Sequence, residues 1–185
     1  MQKIHQPVLL KESSDYLITN KSGIYFDGTI GFGGHTKKFL ELLNDDAIMI
    51  ATDVDYDAFL YCKNFFADDK RLKLYNFNFS MIDIMSKIEL IDNFDGIFVD
   101  LGVSSFQLDN ADSGFTYRMD AKLDLRMDKN KTITAADVVN TFSEEDLAKI
   151  FFEFGEEKSS KRIARKIVER RKISKINTTT ELAKI

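Results

Sequence analysis

At 185 residues and 21.3 kDa, the chain is long enough for one substantial domain, or for a domain with a smaller appendage. Its 44% apolar and 30% charged residues exclude a disordered chain, and its single cysteine, Cys62, excludes an internal disulfide. No run approaches the roughly eighteen apolar residues of a membrane span, and the net charge of −4 hides a split: residues 1–157 carry 16 basic and 28 acidic side chains, whereas residues 158–185 carry 10 basic and 2 acidic.

The opening MQKIHQPVLLKESSDYL meets Pro7 and then charges, unlike a secretory leader, and with the lone cysteine this points to a reducing cytoplasm. Gly23–Asp27 reads as a strand, followed by a helix with Phe39, Leu40, Leu42 and Leu43 on its apolar stripe. Ala47–Ala51 is a second strand ending at Asp53, 57–66 a helix, Leu72–Tyr75 a third strand and 81–88 a helix. The unbroken apolar run 96–101 reads as a fourth strand of the sort buried on both faces. Alternating elements of these lengths predict a parallel, doubly wound α/β sheet, with probable strand order 3-2-1-4.

Beyond residue 107 strand signals nearly vanish. Thr134–Asp137 and Ser143–Asp146 have capping-box spacing, so each starts a helix, and Leu147, Ile150, Phe151 and Phe154 fall on one face of the second. A third helix, 160–172, turns Ile163, Ala164, Ile167 and Val168 inward and Lys161, Arg162, Arg165, Lys166, Arg170 and Arg171 outward; Thr178 with Glu181 starts a fourth. The organisation predicted is a core over 1–107 and a helical subdomain over 108–185. The basic helix is either an RNA-facing surface or a solvated face.

The segment Asp27-Gly28-Thr29-Ile30-Gly31-Phe32-Gly33-Gly34-His35-Thr36 lies between the first strand and the first helix, where glycines let backbone approach a ligand. A phosphate loop needs Lys-Ser/Thr where Gly34-His35 stands, and the dinucleotide fingerprint needs a third glycine where Thr36 stands. S-adenosylmethionine has no phosphate and needs neither device. It does need a carboxylate for its ribose hydroxyls, and Asp53, twenty residues past Gly33, stands where doubly wound folds place one. Asp53, Asp55 and Asp57 could equally form a polar turn and helix cap. Asp100 ends the fourth strand beside the first, at the switch point where such sheets bind ligands. Two histidines, His5 and His35, and no Cys/His cluster support neither a zinc site nor a Ser/His triad.

Taken in order, His5–Glu12, the Asp27–Thr36 loop, Asp100–Ser105, Gln107-Leu108-Asp109, Leu123–Asp128, Thr134–Asn140 and Gly155-Glu156-Glu157 make the chain resemble the RsmH/MraW family of ribosomal RNA small-subunit methyltransferases. The resemblance implies a Rossmann-like class I methyltransferase core with an inserted helical subdomain. It implies transfer of methyl from S-adenosyl-L-methionine to N4 of a decoding-region cytidine in 16S ribosomal RNA. It further implies cofactor contacts from Gly33, Gly34, His35, Asp53, Phe79, Asp100 and Gln107; from the residues alone, Phe79 reads as core. Asp100 and Ser104 are candidates for a catalytic role, and no base is assigned. Family members continue for roughly a hundred residues more, so the chain reads as a fragment whose fourth strand is an exposed edge. The residues leave monomer and dimer both open. The alternative function is a non-catalytic RNA-binding protein on a nucleotide-binding fold.

Overall fold

A computed structural model describes residues 7–185; His5 and Gln6, and the side chains of Ser105 and Phe106, lie outside that description. The chain falls into two units, Met1–Gly102 and Val103–Ile185. In the first, β1 (Ile24–Asp27), β2 (Ile48–Thr52), β3 (Leu72–Tyr75) and β4 (Gly96–Phe98) form one parallel sheet in the order β3-β2-β1-β4. This is the doubly wound, Rossmann-like arrangement that the alternating pattern predicts. Because strand side chains alternate between faces, Tyr25 and Met49, paired in register, pack with Phe39, Leu40 and Leu43 around α2 (Gly34–Leu42). Their neighbours Phe26 and Ile50 point the other way, onto Met85 of α4 (Ile82–Ile88) and Ile91. Ala51 and Ile30 enclose Cys62 of α3 (Tyr56–Phe65). Helices thus cover both faces of the central strands, each fully buried large side chain contributing about 2 kcal/mol.

Three local differences from the sequence reading have physical causes. β4 stops at Phe98 rather than 101, because its only sheet neighbour, β1, ends at Asp27 and the last ladder bond runs from Gly28 N–H to the Phe98 carbonyl. It does lie at the exposed edge expected of it in this chain, with Ile97 55% exposed and Leu101, beyond the strand, 73%. The helix after β2 starts at Tyr56, since the Asp55 carboxylate caps it by accepting from the Asp57 and Ala58 N–H groups. A helix not read from sequence, α1 (Leu10–Leu17), precedes the sheet, with Ser14 buried and its hydroxyl donated to the Leu10 carbonyl.

The second unit is helical: α5 (Ser105–Asp109), α6 (Ala135–Thr141), α7 (Glu144–Glu153), α8 (Ser160–Ile173) and α9 (Thr179–Ala183). Capping boxes start α5, α6 and α9, at Ser104, Thr134 and Thr178. Leu147, Ala164 and Ile167 close a core with Leu123, Val139 and Ile176. Phe154, expected on the inner face of α7, sits at the helix end and is 82% exposed. The outward set on α8 is smaller than expected. Arg171 turns in to donate to the Val139 carbonyl, satisfying a helix end, and Arg170 donates to Ser174. Lys161, Arg162, Arg165 and Lys166 are exposed. The loop before α6 is tied by a bidentate pair, Arg126 to Asp124, with Lys129 3.2 Å away, which holds the Asp124 carboxyl well below the usual range.

An exposed apolar edge is a template for strand pairing. The 185-residue chain is expected to self-associate in light scattering, and Ile97→Lys to reduce that association without lowering the melting temperature. Scattering unchanged by the lysine in a folded variant places the association elsewhere.

Candidate active site

The carboxyl ends of all four strands lie along one edge of the sheet, and the loop from Gly28 to Gly34 runs across it. Backbone bonds pin that loop to both neighbours of β1: Gly28 N–H donates to Phe98 O at 2.9 Å and Ile30 N–H to Thr52 O at 3.1 Å. Gly33 adopts φ +80° as the cap of α2, and a Cβ there would lie 2.6 Å from the Phe66 ring, so conformation and space both demand glycine. A Cβ on Gly28 would lie 2.8 Å from the Cβ of Phe79, which places Phe79 directly against the loop. Phe79 is 37% exposed, not core.

Asp53 follows β2. Its carboxylate accepts from Gly31 N–H at 2.8 Å and from Asp55 N–H at 2.9 Å, and its carbonyl accepts from Asn76 at 2.8 Å. Burial raises its pKa, while those N–H groups oppose the rise. Two oxygens offer about four lone-pair sites, so two bonds leave acceptor capacity for further hydroxyls. Within the TDVDYD run, Asp55 caps the helix and Asp53 holds the glycine loop.

His35, in the first turn of α2, donates from Nε2 to the Val8 carbonyl at 3.0 Å, which turns Nδ1 toward the Asp100 carboxylate, 3.9 Å away. Its ring lies 4.7 Å from that of Phe98. Asp100 is half exposed on its side chain, and its N–H donates to the Thr29 hydroxyl at 2.7 Å. The structure therefore brings Gly33, Gly34, His35, Asp53, Phe79 and Asp100 to one sheet edge. Ser104 and Gln107 belong to the second unit, where they make the capping box of α5: the Ser104 hydroxyl accepts from Gln107 N–H at 3.1 Å and Gln107 Oε1 from Ser104 N–H at 3.0 Å.

Sequence reasoning passed over the groups beneath the loop. Asp27 is completely buried; its carboxylate accepts from Thr36 Oγ1 at 2.6 Å and Thr29 N–H at 3.1 Å. Burial pushes its pKa up to about 6, against the pull of those two bonds and of His35, with Asp53 adding a smaller push. Cys62 donates its thiol to Gly31 O at 3.2 Å, and burial first, then the charges of Asp53 and Asp27, raise it to about 12, which makes it a poor nucleophile. A charged residue closing an apolar strand was the available signal for Asp27. A cleft of about 650 Å³ lined by Lys37, Glu41, Phe65 and Arg71 lies at the opposite, amino-terminal end of the sheet. There Arg71 is already committed to Asp69 and to the Leu40 and Leu43 carbonyls.

The raised pKa of Asp27 sets a pH dependence. The folded state holds this proton more tightly than the unfolded chain, whose aspartates titrate near 3.9. The contribution is present below pH 4 and lost as pH rises through about 6. Holding the proton up to about pH 6 is worth roughly 3 kcal/mol. Denaturant melts between pH 4 and 7 should show stability falling more steeply with pH for the parent than for Asp27→Asn; Asp53 adds in the same sense in both. Equal slopes would refute the shift.

Residues 2–185 match the MraW methylase family. The ribosomal RNA small subunit methyltransferase H of Caldicellulosiruptor saccharolyticus is 47% identical, with 96% of this chain and 58% of the relative aligned. The proteins of the same name from Fusobacterium nucleatum and Legionella pneumophila (strain Corby) are 46% and 45% identical, each over 98% of this chain and over 60% and 59% of their own lengths. The chain thus spans about three-fifths of these curated relatives. Identity at this level, along nearly the whole sequence, shows that the chain belongs to the MraW methylase family.

Proposed function

We propose that this chain is the cofactor-holding part of an S-adenosyl-L-methionine-dependent methyltransferase that acts in the cytoplasm on N4 of a cytidine in the decoding region of 16S ribosomal RNA. The observation that carries the reading is the glycine loop: a close-packed backbone turn held by the partly buried Asp53 carboxylate, in a chain of the MraW family. The residues present fit the cofactor. Asp53 has acceptor capacity left for ribose hydroxyls, Gly31 keeps open space beside a partly exposed backbone, and Phe79 offers a partly exposed ring beside the loop for adenine. When bound, S-adenosylmethionine supplies an electrophilic methyl on a sulfonium. The chain's own contribution is to hold and align, which alone can lower the barrier by several kcal/mol. The half-exposed Asp100 carboxylate can accept an N–H of the acceptor amine, favouring its reactive geometry and taking up the released proton. A paired or stacked cytidine must be turned out to present N4.

Asp53→Ala is expected to abolish detectable S-adenosylmethionine binding in calorimetry while leaving the chain folded. Unchanged affinity in a folded variant overturns the assignment. The activity itself is tested by methyl transfer from labelled cofactor into small ribosomal subunits, with this chain and with one extended to the length of its relatives; no N4-methylcytidine from the extended chain overturns the reaction proposed.

The second unit is read as the RNA-recognition part, through the exposed Arg162, Arg165 and Lys166 of α8; Arg165 also lies 3.5 Å from Glu144, a weak exposed pair. Phosphate neutralisation makes affinity fall with salt in proportion to the contacts made. Reversing these three charges should weaken RNA binding and reduce the salt slope by about two to three, with cofactor affinity unchanged. Survival of both RNA affinity and slope makes α8 a solvated surface.

A further inference from the structure

We propose that Asp27 is the positioning residue of this site: by holding Thr29 and Thr36 it fixes both ends of the glycine loop and, through Thr29, the Asp100 turn. The inference rests on the cofactor reading above. Asp27 and Thr36 are completely buried, so neither presents itself to a ligand from solvent. Their 2.6 Å hydrogen bond joins the end of β1 to the first turn of α2, and the other carboxylate oxygen accepts the Thr29 N–H at the start of the loop. One buried carboxylate therefore spans the stretch that contains Gly31, Gly33 and Gly34.

The chain of bonds continues outward. Thr29 Oγ1 accepts the Asp100 N–H at 2.7 Å, on the far side of β1 from Asp53. The Asp53 carboxylate holds Gly31 N–H at 2.8 Å from the β2 side. The loop is thereby stretched between the turns after β2 and β4, with Asp27 underneath as the common anchor. Glycine-rich backbone loses more conformational freedom than any other when ordered, so a loop of this composition binds tightly only if something else has already ordered it. The clasp does that before a ligand arrives.

The role is geometric, and this separates it from that of a ligand group. An asparagine at position 27 can keep both bonds, its carbonyl accepting from Thr29 N–H and its amide donating to the Thr36 hydroxyl. Alanine can keep neither. Valine at position 29 or 36 matches threonine in shape and deletes only the hydroxyl.

The experiment combines amide hydrogen exchange on the ligand-free chain with calorimetric titration of S-adenosylmethionine. Thr29→Val should speed exchange of the Asp100 amide by about tenfold and weaken Kd by about three- to tenfold, and Thr29→Ser should restore both. Thr36→Val and Asp27→Ala should also weaken Kd, whereas Asp27→Asn should stay within about twofold of the parent, as expected when no hydrogen bond is lost. Unchanged exchange and Kd in Thr29→Val and Thr36→Val overturn the proposal. So does a loss in Asp27→Asn as large as in Asp27→Ala, which would make the carboxylate a ligand group instead. Should the parent chain fail to bind S-adenosylmethionine, the cofactor reading fails, and exchange at Asp100 alone decides the clasp. Thermal melts check that each variant is folded.

Discussion

Burying a carboxylate costs several kcal/mol unless hydrogen bonds compensate, and the end of β1 is where this fold accepts that cost. Asp27 sits between two parallel neighbours, level with Ala51 of β2 and Phe98 of β4, with no exposure to solvent. Its compensation comes from a loop amide and from the hydroxyl of a residue in the following helix. Satisfying the carboxylate and shaping the glycine loop are consequently the same event. The sheet supports the loop in turn, since Gly28 and Ile30 donate to carbonyls of β4's last residue and β2's last residue.

The same economy appears at Thr52, also fully buried. Its hydroxyl lies within hydrogen-bond distance of the Tyr75 and Phe77 carbonyls, and Phe77 N–H lies 3.2 Å from the same oxygen. This fixes the exit of β3 and, two residues on, the approach of Phe79 to Gly28. Polar side chains at three of the four strand ends, Asp27, Thr52 with Asp53, and Asp100, thus carry the loops, while apolar residues carry the sheet.

The strands, most helices and three caps were legible because they rest on periodicity and on cap spacing, which are local, and the strand order followed from the doubly wound pattern. What stayed hidden was tertiary. Helix α1 was missed because its buried position is Ser14, which interrupts the apolar stripe that would have revealed it. Arg171 looked outward by spacing, yet a long side chain can reach a carbonyl 32 residues away in sequence, and nothing in the residue type shows that. The early end of β4 follows from where β1 stops, a property of the partner strand. At the site, Gly33, Gly34, Asp53 and Asp100 could be read from a doubly wound pattern, whereas Phe79 gave no periodic signal that separated it from core. Asp27 stood in plain view as the first residue of the glycine motif, and its role depends on Thr36, nine residues on, folding back over it.

The charge along this loop is set by carboxylates rather than by a cation. Gly34 stands where a phosphate loop carries lysine, a flexible cation aimed at the ligand, and His35 stands at the Ser/Thr position after it. Here the side chain is an imidazole, nearly buried, with Nε2 committed to Val8 O and its ring set against Phe98. Its remaining nitrogen faces a carboxylate, Asp100. A polyphosphate brought to this edge would meet the carboxylates of Asp53 and Asp100 and no free cation among the described residues of the loop. A ligand with hydroxyls to donate and a positive centre to be neutralised meets complementary charge instead. The acidic body suits the cationic cofactor proposed for it, and the basic α8 suits the anionic polymer proposed for the second unit.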